Sequence, residues 1–322
     1  MAAGGILWMT AFFVLALFLP GQMAIPCIIL GSLGSAAFHP AGTMQATLRG
    51  RILLAGRETT STSWFFLFGQ LGYFLGPIIG GPLLQQFGTP GLILLAVPAL
   101  VIGLNAMWRL RHAMPAPKPV LLEAMSPDLP SDSGKGSSRA QVAGKGFILA
   151  LIVVAALQAW AQQNINTFLP KFLSDIGQTP AIYGLMAGLF MGGSAIGNVA
   201  GGNLADRFGR QRVATIMLAL AVIPLFIISQ IGFSPWLYLL IPLSGALTGA
   251  VHIIIVVLAQ RLLRGGMALA SGLILGFMFS SGALGTLLSG PIADRWGFPP
   301  VFLLTAGLAL TASLVSLFLK EK

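Results

Sequence analysis

The chain has 322 residues, of which 56% are hydrophobic and only 8% charged, with a mean hydropathy of +0.89. A typical soluble domain is about 25% charged. The composition therefore excludes a soluble globular enzyme, a disordered chain and a nucleic-acid binder, despite a formal net charge of +10. What remains is an all-α polytopic membrane protein, whose helices satisfy the backbone polar groups internally. The single cysteine, Cys27, excludes a disulfide framework and a multi-cysteine metal site, and its apolar setting predicts an inert buried thiol. The opening residues lack a basic stretch and are not expected to act as a cleaved signal peptide.

A membrane span needs about 20 mostly apolar residues. Ten segments meet that length in chain order: 4–19, 21–38, 64–84, 91–108, 147–169, 181–201, 213–233, 237–258, 268–291 and 299–319. Strands of a barrel would be about 10 residues long with strict alternation, and these segments show no period of two. Residues 109–145 break the pattern with five prolines, several serines and six basic residues. This stretch reads as a cytoplasmic linker. It separates an N-terminal half-bundle, 1–108, with four helices from a C-terminal bundle, 146–322, with six. With a cytoplasmic N-terminus, 16 of the 18 Lys and Arg fall on the inner side, and only Lys171 and Arg295 fall outside. That asymmetry predicts both termini in the cytoplasm of the plasma-membrane face. It also explains the basic balance as topology rather than as a nucleic-acid footprint.

An internal repeat supports two related halves. The run Gly76–Gly88 aligns with Gly285–Gly297, so that Gly76, Gly81, Pro82 and Gly88 fall on Gly285, Gly290, Pro291 and Gly297. Gln45, Arg49 and Gly50 likewise fall on Gln260, Arg264 and Gly265. The second and third helices then correspond to the eighth and ninth, and the first half is expected to lack its first two helices. Parallel repeats of six-helix halves characterise one large class of transporters.

Two runs carry the motifs. The first is Gly202-Asn203-Leu204-Ala205-Asp206-Arg207-Phe208-Gly209-Arg210-Gln211-Arg212, in a short turn between two apolar helices. A carboxylate at a helix end can meet the positive start of the next helix, and arginines can pair with it or with lipid phosphates. Such a cluster could hold one conformation and release it; an ordinary positive-inside loop is the plainer reading. The second is a glycine-proline helix that includes Gly72, Gly76, Pro77, Gly80, Gly81 and Pro82. Small residues let helices approach closely, and proline kinks a membrane helix. Simple packing would use the same residues. A third glycine series, Gly184, Gly188, Gly192, Gly193, Gly197 and Gly201, predicts a close-packing face on the sixth helix.

The first run resembles the G-x-L-A-D-R-x-G-R-[KR] signature of the major facilitator superfamily, departing only at Gln211. The glycine-proline helix resembles that superfamily's antiporter helix. Leu30–Gly42, with its Phe-His-Pro triplet, and Ala259–Phe277 resemble the superfamily's fosmidomycin resistance exporters. The resemblance covers nearly the whole chain, from the family's third helix of twelve onward. It implies the major facilitator fold with about 10 of 12 helices, working as a monomer in the lipid bilayer. It also implies a conformational switch at Gly202, Asp206, Arg207, Gly209 and Arg210, and efflux of a small molecule, driven by a proton gradient without a cofactor.

Polar groups inside a bilayer are costly and point to function. Gln158, Gln162 and Asn166 fall on one helical face, broadened by Gln163 and Asn164 with Trp160 nearby. That face is expected to meet a substrate cavity or another helix. His252 is the only ionisable group deep in a span; it could be packed and hydrogen-bonded, or contact substrate or carry protons. His39 is expected at a helix end or gate. The leading function is therefore secondary transport, because no nucleotide-binding G-x-x-x-x-G-K-[ST] run is present. The alternative is a truncated, transport-inactive remnant. A membrane enzyme is not expected, since there is no HExxH, no acidic pair in a span and no nucleophile with its base.

Overall fold

A computed structural model describes residues 2–53, 58–112, 145–262 and 267–319. In chain order these form α1 (Ala2–Phe18), α2 (Gly21–Leu53), α3 (Glu58–Phe87), a single 3-10 turn (Thr89–Leu92) and α4 (Ile93–His112). Then follow α5 (Lys145–Asp175), α6 (Pro180–Phe208), α7 (Arg210–Ile231), α8 (Leu237–Leu262), α9 (Met267–Trp296) and α10 (Phe298–Ser316). Among the described residues there is no strand. Nine of these ten helices are long and apolar enough to cross a membrane. The tenth, α1, is apolar but has 17 residues, about 26 Å at 1.5 Å per residue. Most of the linker, residues 113–144, lies outside the described residues, as do Arg264 and Gly265 of the second repeat match.

Several helices run past their apolar windows. The second segment was expected to end at residue 38, yet α2 continues to Leu53. Hydropathy reports the thickness of the hydrocarbon, whereas a helix can continue into the polar interface. The turns follow from glycine. Gly88 (φ 65°) precedes the 3-10 turn, Gly209 (φ 90°) separates α6 from α7, and Gly297 (φ 79°) precedes α10. A side chain at such backbone angles is strained. Gly88 and Gly297 are the two aligned ends of the repeat, and each is followed two residues later by a proline, Pro90 or Pro299, packed near it. The repeat is therefore one of backbone geometry as well as of sequence.

The division at 109–145 rests on composition and chain order; contacts group the helices in another way. One compact unit holds α1, α2 up to Phe38, and α4 from Ala96. In it Gly5 and Gly34 bring α1 and α2 together at their backbones, and Trp8 Nε1 donates to the Leu30 carbonyl at 2.8 Å. Cys27 is buried on α2. The other unit holds α2 from His39, α3, the 3-10 turn and α5 to α10. Its core has two apolar clusters. Val154, Leu218, Val251, Ile255 and Ala312 mark one, and Ile165, Leu169, Phe190, Leu225, Ile241 and Phe302 the other. Every helix from α5 to α8, and α10, contributes to both, so the clusters occupy successive depths of one bundle.

Candidate functional site

Between the two clusters lies a polar layer. On α5, the segment 158–164 joins residues of one cluster to residues of the other; Ser194 does so on α6, and Ser244 and Thr248 do so on α8. Gln158 is fully buried, and its Nε2 donates to the Thr248 carbonyl at 3.0 Å. One turn on, Gln162 Nε2 donates to Ser194 Oγ at 3.0 Å. Asn164 turns the other way, donating from Nδ2 to Thr305 Oγ1 on α10 at 3.1 Å. Thr305 in turn donates to the Val301 carbonyl. Trp160 Nε1 donates to Ser289 Oγ on α9 at 2.9 Å, and its ring lies against Gly285. Gln163 bonds Thr167 within its own helix. Asn166 is half-buried without a side-chain hydrogen bond among the described residues.

The amide nitrogens of Gln158, Gln162 and Asn164 are thus taken up by neighbouring helices, while three acceptors are not. Gln158 Oε1, Asn164 Oδ1 and Asn198 Oδ1 are buried without a hydrogen-bond partner among the described residues. An unmatched buried acceptor costs about 1–3 kcal/mol, so these atoms favour a donor between the helices. His252 stands one turn beyond Thr248 on α8, half-buried, with no hydrogen bond among the described residues. His39 is exposed on α2, its ring edge-on to Phe65 with centroids 6.5 Å apart.

The glycine series on α6 forms two faces rather than one. Gly193, Gly197 and Gly201 lie against the backbone of Pro242, Ala246 and Ala250. Both sets of numbers rise together, so α6 and α8 run parallel. Gly245 and Gly249 of α8 return the contact against Phe190 and Ser194. The second face, Gly184, Gly188 and Gly192, receives Pro77, Ile78 and Phe74 of α3. On α3 itself Gly81 meets Pro180 and Ala181, and Gln85 Oε1 accepts from the Ala181 N–H at 3.3 Å. Gly80 packs on Leu92 and Leu95, whereas Gly72 and Gly76 face open space. Pro77 and Pro82 stand inside α3, where each deprives a carbonyl one turn earlier of its helical partner. An apolar cleft of 240 Å³ lies along this seam, lined by Pro77, Gly81, Leu84, Pro170, Tyr183 and Gly184 among others.

At the end of α6, Asp206 is exposed and its Oδ1 lies 3.4 Å from Arg210 Nη2 across the Gly209 turn. Gly209 closes α6 by donating its N–H to the Ala205 carbonyl and opens α7 by accepting from Val213. Arg207 is exposed. Gly202 has room, its nearest neighbour being Ile253 Cγ2 at 3.9 Å from where a Cβ would sit. Ser194, Asn198, Thr248, Ser289 and Thr305 are not among the site residues read from the sequence. Ser194 and Asn198 are spaced four apart inside the glycine series, a signal that would have marked them.

The sequence profile of the Major Facilitator Superfamily matches residues 151–322. The chain is 28% identical over 308 residues to the fosmidomycin resistance protein of Escherichia coli (strain K12), covering 94% of this chain and 71% of that one. It is 27% identical over 300 residues to YfnC of Bacillus subtilis (strain 168), named as an uncharacterized MFS-type transporter, covering 90% and 69%. A solved structure of the nucleoside transporter NupG superposes with a TM-score of 0.72 at 14% identity, over 99% of this chain and 83% of that one.

Proposed function

The chain belongs to the major facilitator superfamily and is a membrane transporter rather than an enzyme, and from that premise we propose that it exports a small molecule by alternating access in exchange for protons. The observation that carries this reading is the polar layer between two apolar clusters. A transporter of this class places its substrate near mid-bilayer, and polar groups at that depth are costly unless used. Gln162, Gln163 and Asn166 are the amides of this layer with side-chain surface left, and Gln162 and Asn166 share the face of Gln158. His252, one turn from that layer, is the proton-carrying candidate.

The glycine seam between α3 and α6 suits a contact that shifts as the helices rock, because Gly184 and Gly81 bring the two backbones together there and Gly188 and Gly192 offer open notches to Ile78 and Phe74. The Asp206–Arg210 pair suits a latch at the end of α6. The protein named for fosmidomycin resistance supports starting the search for substrate with that compound. Both termini are assigned to the cytoplasmic side of the plasma membrane on the distribution of Lys and Arg, and the working unit to a monomer.

The test is counterflow in proteoliposomes, with fosmidomycin first in a panel of small polar drugs. Gln162→Leu and Asn166→Leu should each lower the exchange rate about tenfold, within the range expected for losing a polar contact. Unchanged exchange in both variants would remove the polar layer from the substrate path. No exchange above empty vesicles for any compound would favour the transport-inactive alternative.

A further inference from the structure

We propose that the cleft between the start of α7 and the end of α10 seats the phosphate of an anionic membrane phospholipid, whose chains lie down the outer faces of both helices. The cleft measures 370 Å³ and is lined by Gln211, Arg212, Thr215, Ile216 and Leu317. Its walls are built. Gln211 Nε2 donates to the Leu317 carbonyl at 2.6 Å, and the Thr215 and Ser316 hydroxyls share a hydrogen bond of 2.7 Å. Ser313 Oγ donates to the Thr215 carbonyl at 2.9 Å. These bonds fix the two helix ends side by side, so the cleft does not depend on loose side chains.

Among the described residues that line it, the charged group is Arg212, which is exposed and forms no ion pair among the described residues. Guanidinium presents planar paired donors that match phosphate oxygens. The depth is right for a headgroup, because the spans of α7 and α10 end here, at Arg210 and Ser316. Below the cleft the surface is apolar and exposed on both sides. Ile216, Leu220 and Ile223 continue one face of α7, and Leu317, Leu314 and Leu310 one face of α10. A cationic mouth above two apolar stripes matches an anionic lipid from headgroup to chain. A soluble phosphate would use only the mouth.

The test is native mass spectrometry of the purified full chain, titrated separately with phosphatidylglycerol, phosphatidylcholine and inorganic phosphate. Phosphatidylglycerol should bind more tightly than phosphatidylcholine, and Arg212→Ala should weaken it about fivefold, the effect of one basic group at a membrane surface. Arg109→Ala, which removes an exposed cation at the end of α4, should leave binding unchanged. Ile216→Trp keeps the charge but fills the cleft, and should also weaken phosphatidylglycerol. Equal losses from Arg212→Ala and Arg109→Ala would reduce the effect to general surface charge and overturn the proposal. Inorganic phosphate displacing the lipid at matching concentration would overturn it too, since the chains would then contribute nothing.

Discussion

Gly197 of α6 lies against the carbonyl oxygen of Ala246 in α8, at the centre of a file in which backbone meets backbone. A Cβ there would have to displace main chain, which cannot yield as a side chain can. Gly197→Ala should therefore destabilise the protein by about 1–3 kcal/mol, the usual cost of overpacking. Gly202→Ala, with open space at the same helix, should be neutral or gain about 0.5–1 kcal/mol from helix propensity. Thermal unfolding in detergent distinguishes the two. Equal midpoints would show that the α6–α8 file is not tightly packed.

Gly209 tests the turn. Its φ of 90° and ψ of 136° lie where a side chain is strained, at about 1–3 kcal/mol. Gly209→Ala should lower the melting temperature, and because it also tilts α7 against α6 it should slow transport. Gly297→Ala, at φ 79°, should lower the melting temperature similarly, through the α9–α10 turn. A Gly209→Ala protein with unchanged melting and unchanged transport would show that the turn tolerates another backbone.

Much of this fold could be read from the residues alone. The apolar windows gave every span from α2 onward, and the aligned Gly88 and Gly297 marked turns of matching geometry. Packing was harder to see. Gly76 and Gly285 align, yet Gly76 faces open space while Gly285 holds Trp160; Gly81 and Gly290 align, yet only Gly81 carries a close contact. Equivalent glycines thus serve different neighbours, and neighbours are not encoded in spacing. The series from Gly184 to Gly201 was likewise legible as close packing but not as two faces. Its two halves are offset by one residue, Gly192 to Gly193, which rotates the second set by about 100°. The amide stripe pointed to the polar layer. Its partners, such as Thr248 offering a backbone carbonyl, left no trace that residue type could reveal.

Asn164 separates packing from function within that layer. Its Nδ2 bonds Thr305, which keeps its own bond to Val301, and its Oδ1 has no partner among the described residues. Leucine at this position loses the bond to Thr305, about 0.5–1.5 kcal/mol, but also removes the unmatched buried oxygen, which costs about 1–3 kcal/mol, so the two effects offset. Asn164→Leu should change stability by less than about 1 kcal/mol and leave exchange intact. A large loss of exchange at normal stability would move Asn164 into the substrate path, and a large loss of stability would mean that its unmatched oxygen is satisfied by buried water.

His252 decides the coupling. If it carries the proton, His252→Gln should abolish drug accumulation against a gradient while preserving downhill counterflow. Measuring both in one vesicle preparation separates coupling from binding. Preserved accumulation would leave His252 as a packing residue of α8.

In the proposed mechanism, gradient-driven export is controlled at the Asp206–Arg210 pair. Its most direct test is drug uptake into everted membrane vesicles with an imposed proton gradient, comparing the natural chain with Asp206→Asn. An exposed pair of this kind contributes at most about 1 kcal/mol to stability, so the variant should insert and melt normally. A switch, however, couples conformations by roughly 1–3 kcal/mol, or about 5–150-fold. Uptake should collapse with the gradient in the natural chain and fall at least about fivefold in Asp206→Asn. Uptake that ignores the gradient, or that survives the substitution at full rate, would contradict this mechanism.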